Sequence, residues 1–192
     1  TKALSLSKQA IKFYNEINDL KGVATINKNI GLIYKDMGEV NLSVEAFKYA
    51  VDVSKKTGDA WEEAINLAYI ANAYTDKDFE KAQYWAKESL RISEKINAKS
   101  IKKIAYSALI TSFENTHDYQ QALVYAKLKN KVVNEVKNDA LNKRVAEMSV
   151  LQDVVNKTYE LDVLKQNMLA LSEIIEKQKG NLIKVSNEVE NK

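Results

Sequence analysis

The sequence predicts an all-α fold of stacked helix pairs, and three observations carry that prediction. There is no proline and there are only five glycines among 192 residues, so little interrupts a helix and the connections must be short. Apolar residues recur at steps of three and four along almost the whole chain, the spacing of one helix face. Landmark residues also return every 39 or 40 positions, as an array of repeated supersecondary units requires.

The first helix is expected over Thr1 to Asn18, with Leu4, Ile11, Tyr14 and Ile17 on one stripe. A turn from Asn18 through Gly22 precedes a second helix carrying Ile26, Ile30, Ile33, Tyr34 and Met37, stopped by Gly38. A third starts near Asn41 or Ser43, carries Val44, Phe47, Ala50, Val51 and Val53, and ends at Thr57-Gly58. Asp59-Ala60-Trp61-Glu62 has the form of a capping box and opens a fourth helix with Ile65, Ala68, Tyr69, Ala71 and Tyr74. After the turn Thr75–Asp78 comes a fifth, with Phe79, Ala82, Trp85, Ala86, Ser89, Leu90 and Ile92. Ser100 is the expected cap of a sixth, with Ile104, Ala108, Leu109 and Phe113. A turn at Thr116-His117-Asp118 leads to a second capping box, Asp118 to Gln121, and to Ala122, Ala126, Val132 and Val133.

Three registers expose the repeat. Tyr34, Tyr74 and Phe113 end the first helix of each pair; Ala3, Ser43, Ala82 and Ala122 lie one turn into the second; and Ala10, Ala50, Ser89 and Lys129 follow at the same intervals. Between Asn27 and Ala50 the unit is best formed. Gly31 falls there on the inner face, where a side chain would hold the two backbones apart.

Ile30-Gly31-x-x-Tyr34-x-x-x-Gly38 followed by Phe47-x-x-Ala50 resembles the tetratricopeptide repeat (TPR), in a form of about 40 residues. Tyr69 to Ala86 and Leu109 to Ala126 supply further copies, so the resemblance covers roughly 1–136, about three and a half repeats. The third copy departs from the pattern, with Ile110 in the place of Gly31 and Lys129 in that of Ala50. The resemblance implies a right-handed superhelix whose concave groove, lined by the first helix of each pair, binds a protein or peptide segment.

From Asp139 the pattern changes to a seam. Leu161, Leu164, Met168, Leu171, Ile175, Gln178, Leu182, Val185 and Val189 alternate steps of three and four, the rule of a left-handed coiled coil. Upstream, Leu141, Met148, Leu151 and Val155 keep a similar register that slips by one residue before Leu161. A long helix over 138–192, with roughly 40 residues in continuous register, is therefore expected to form a homodimer. Folding back as a cap on the array is the alternative. Gly180 is expected to weaken the segment beyond it. Long helices after such repeats resemble the signalling helix of bacterial sensor proteins, which implies a regulatory segment of a longer chain, open at both ends.

Composition narrows the chemistry. Zero cysteine removes disulfides and thiol chemistry and fits a reducing cytoplasm. A net charge of +3 from 29 basic and 26 acidic residues, interspersed along the chain, gives no footprint for nucleic acid. No run approaches a membrane span. His117, the sole histidine, lies in a turn without companions for a metal set. No phosphate loop, nucleophile elbow or acid–base pair is evident, so neither enzyme nor cofactor is expected.

The candidate groove residues point away from the partner helix of each pair: Lys28, Leu32 and Lys35; Ala68, Asn72 and Thr75; Ser107, Thr111 and Glu114. Lys28 and Asn72 are candidates for part of a carboxylate clamp. The candidate dimerisation residues are Leu161, Leu164, Met168, Leu171, Ile175 and Leu182. The tyrosines, Trp61 and Trp85 are read mostly as core. The leading expectation is a regulatory scaffold of a bacterial signalling protein that binds a protein or peptide. A peptide-pheromone receptor and a purely structural adaptor are the alternatives.

Overall fold

The computed structural model describes residues 2–190, with side chains up to residue 180. Among the described residues the chain forms seven helices and no strand: α1 Lys2–Glu16, α2 Leu20–Asp36, α3 Val40–Thr57, α4 Ala60–Tyr74, α5 Phe79–Lys95, α6 Lys99–Asn115 and α7 Tyr119–Glu190. This is an all-α helical-repeat solenoid with a long C-terminal helix. By backbone contact the chain divides into two units, Thr1–Lys137 and Asn138–Lys192.

The turns explain the repeat. Left-handed residues end five helices: Asn18, Gly38, Gly58, Asn97 and His117. At each, the next residue's N–H reaches back five positions, as Asp19 does to the carbonyl of Tyr14, Glu39 to Tyr34, Asp59 to Ser54, Ala98 to Ser93 and Asp118 to Phe113, all at 2.8–2.9 Å. This is the Schellman closure, which consumes otherwise unpaired C-terminal carbonyls. The chain reverses in two or three residues, so helices pack antiparallel to their neighbours. The turn between α4 and α5 is built differently, with Asp78 donating to the carbonyl of Tyr74 and no left-handed residue.

Tight closure also moves several expected boundaries. α2 starts at Leu20 under an Asp19 cap, placing Gly22 in its first turn. A Cβ on Gly22 would collide with the Tyr14 ring, so this glycine serves close packing of α1 on α2. α3 starts at Val40, just before the expected Asn41 or Ser43, and α6 at Lys99, just before Ser100, and neither has a side-chain cap. Ser43 is instead fully buried and donates to the Gly31 carbonyl at 2.8 Å. Each expected capping box forms by half: Asp59 accepts from the Glu62 N–H and Asp118 from the Gln121 N–H. The N–H that Glu62 or Gln121 would have satisfied belongs to the preceding Schellman bond.

The core of the first unit runs through Phe47, Ala68, Ile70, Ala71, Ile101 and Leu109, all shielded from solvent. Phe47 stacks on Tyr69 with ring centres 5.4 Å apart. Buried hydroxyls tie helices together, Ser89 donating to the Ala64 carbonyl and Ser112 to that of Phe79. In the third pair the positions in register with Gly31 and Phe47 are Ile110 and Ala126, both half-buried.

α7 begins as the second helix of that pair. Ala122 and Val132 are buried, and Tyr125 stacks on Phe113 at 5.6 Å. Without glycine or proline between Tyr119 and Lys179 nothing stops the helix, which spans 72 residues rather than roughly 40 and passes through Gly180 unbroken. In the second unit Leu161, Leu164, Met168, Leu171 and Ile175 are exposed by 46–73%. Leu182 lies outside the described side chains.

Candidate partner-binding cleft

The first helices of successive pairs are linked along one side of the array. Lys28 of α2 holds both carboxylate oxygens of Glu62 in α4, at 2.8 and 3.0 Å. Asn115 of α6 donates to the carbonyl of Thr75 at the end of α4. These contacts decide what each candidate groove residue can do.

Lys28 cannot serve as a clamp residue, because Glu62 neutralises it and only 18% of its side chain is exposed. Glu62 is itself held by Asn66, whose amide donates to the Glu62 carbonyl and carboxylate. Leu32 packs against the core and Ala68 is fully buried, so both are structural. The Ser107 hydroxyl turns back to the carbonyl of Lys103. Thr111 is half-buried and Glu114 exposed. None of these six residues lines the cleft described next.

Lys35, Asn72 and Thr75 do come together. They share a cleft of about 300 Å³ with Gly38, Val40, Ala73, Asp76 and Lys77, between the α2–α3 and α4–α5 turns. Thr75 is buried and donates to the Asn72 carbonyl, fixing the last turn of α4. The half-buried Asn72 amide lines this cleft. Lys35 has only a loose 3.8 Å approach to Asp36. Two lysines, Lys35 and Lys77, and one acidic residue, Asp76, thus line a recess whose other polar lining residues are Asn72 and Thr75. Such a site can receive a carboxylate beside an apolar side chain. Sequence reasoning missed Lys77 and Val40. The unusual α4–α5 turn, with no glycine or asparagine to close it, was the available signal for Lys77.

A second recess of about 320 Å³ is lined by Lys48, Tyr74, Glu80, Lys81, Tyr84 and Trp85. Lys48 lies over Trp85 at 5.9 Å and Lys81 over Tyr74 at 5.4 Å. The hydrogen bond between Asp78 and Lys81 holds the Asp78 carboxyl below, and the Lys81 ammonium above, their ordinary ranges. Trp85 is half-buried and Trp61 is 44% exposed, so Trp61 is not the core residue expected. It sits in the first turn of α4, on the side away from the packing stripe. His117 is exposed, and its ring Nδ1 bonds the Tyr119 hydroxyl at 3.0 Å. Among the described residues no three His, Cys, Asp or Glu gather as a metal set, and no helix is long and apolar enough to cross a membrane.

No protein-family model and no curated protein matches the sequence. Twenty-eight solved chains match in structure. Among them is BtubC (BKLC) from P. vanneervenii, with a TM-score of 0.60 at 15% identity over 69% of this chain. The present chain spans only 56% of that protein's length. A likeness at that identity is one of fold.

Proposed function

We propose that the repeat array is a protein- or peptide-binding scaffold of the TPR type, serving as the regulatory module of a bacterial cytoplasmic signalling protein that dimerises through its C-terminal helix. The observation that carries the reading is the cleft joining Lys35, Asn72, Thr75 and Lys77, on a solenoid in which Lys28 is ion-paired and Leu32 and Ala68 are engaged in packing. Its net positive lining favours a segment with acidic side chains or a terminal carboxylate. The dimer reading rests on the exposed stripe from Leu161 to Ile175, since an isolated helix leaves such a surface in water at a cost that pairing removes.

Fluorescence anisotropy with an eight-residue peptide rich in Asp and Glu, ending in a free carboxylate, tests the first part. Micromolar binding that weakens at least about tenfold in Lys35→Glu/Lys77→Glu is expected. No binding at millimolar peptide would overturn it. Light scattering tests the second part. A dimer at micromolar concentration is expected, and a monomer at high micromolar concentration contradicts it.

A further inference from the structure

The stripe on the second unit contains one residue that an apolar seam does not explain. With Leu161 at position a, the heptad letters run Leu161, Met168 and Ile175 at a, and Leu164, Leu171 and Gln178 at d. The leucines, Met168 and Ile175 are exposed by 46–73%. Gln178 is exposed on the same stripe. Glu160 and Lys165 flank the stripe at g and at the following e, and neither is ion-paired among the described residues.

We infer that Leu161–Gln178 pairs with the same segment of a second copy in a parallel, in-register coiled coil, in which Gln178 faces its own counterpart. The inference rests on the dimer reading above and adds the orientation. In a parallel pair each a or d residue meets itself across the axis. Two facing Gln178 amides can each donate to and accept from the other, so neither is buried unpaired. Glu160 then lies beside Lys165 of the second copy, opposite charges in the g-to-e relation that sets partner choice and orientation. The antiparallel register that overlaps the whole stripe places Gln178 against Leu161, which leaves the amide without a partner in an apolar layer. A single polar residue in the seam thus favours one orientation, while the leucines supply the attraction.

The chain has no cysteine, so single-cysteine variants report the orientation directly. Leu161→Cys, Gln178→Cys and an outward control, Gln166→Cys, are oxidised separately, and the first two are also oxidised as a mixture, after far-UV circular dichroism confirms that each remains helical. Facing a or d positions lie within reach of a disulfide, whereas in the antiparallel pair residues 161 and 178 of one copy face each other's counterparts, about 25 Å from their own by helical rise. Disulfide-linked dimer forming at least about tenfold faster in each of the two seam variants alone than in the control is expected. Linkage only in the mixture overturns the orientation while leaving the dimer standing. A dimer by light scattering with no seam linkage overturns the assignment of this stripe, and a monomer overturns the dimer reading with it.

Discussion

The ring of Phe47 fills the space that a side chain at residue 31 would need: a Cβ on Gly31 would lie 2.7 Å from two ring carbons. This contact sets how closely α2 and α3 approach, and the buried Ser43 hydroxyl on the Gly31 carbonyl fixes their register. Gly31→Ala is therefore expected to lower stability by about 1–2 kcal/mol despite its better helix propensity, since overpacking outweighs the propensity gain. Adding Phe47→Leu in that background should restore part of the loss. Urea denaturation of the two single variants and the double variant measures the coupling, and additive effects would contradict the contact.

The five left-handed turn residues are not equivalent. Gly38 and Gly58 adopt that conformation without strain, while Asn97 and His117 carry side chains through it, at φ 51° and 60°. His117→Gly and Asn97→Gly are expected to raise stability by about 0.5–1 kcal/mol each. Gly58→Ala, with open space around it, should lower stability by a similar amount. Thermal unfolding checks the sign in each case.

Lys28 separates structure from recognition. Its ion pair with Glu62 is largely shielded, so Lys28→Ala is expected to cost about 1–3 kcal/mol by leaving a half-buried carboxylate short of its partner. It should leave affinity for an acidic peptide within about twofold, because Lys28 does not line the cleft. A large affinity loss with unchanged stability would reverse that assignment.

The cap of α5 is acid-sensitive. Asp78 accepts from the Lys81 N–H at 3.0 Å and pairs with its ammonium at 2.7 Å, which lowers the carboxyl below the ordinary value of 3.8. A carboxyl depressed in the folded state contributes stability at pH above 3.8 that is lost as pH falls through the lower folded value. NMR titration should give an Asp78 midpoint below that of a free carboxyl, and Lys81→Met should move it upward.

Much of the fold was legible because the residues that shape it act on their near neighbours. Period, helix faces and the reason for Gly31 all follow from spacing. Where expectation failed, a distant partner had claimed the residue. Glu62 read as the reciprocal half of Asp59's box, but a Schellman bond holds the Asp59 N–H and Lys28, 34 residues away, takes the carboxylate. Ser100 read as a cap because hydroxyls often cap, yet the left-handed turn before it starts α6 at Lys99, just as the turn at Gly38 starts α3 at Val40, one residue before the expected Asn41. Facing direction alone chose Lys28 and Lys35 equally; only the neighbouring helix shows that one is neutralised and the other lines a cleft with Asn72, Thr75 and the unforeseen Lys77.

The most direct test of the binding account is an amide NMR titration of the full chain with the same acidic peptide. The account predicts saturable shifts centred on Lys35, Asn72, Thr75 and Lys77, lost when the peptide's terminal carboxylate and acidic side chains are amidated. Shifts centred instead on Lys48, Tyr84 and Trp85, or no saturable shift at all, would contradict it.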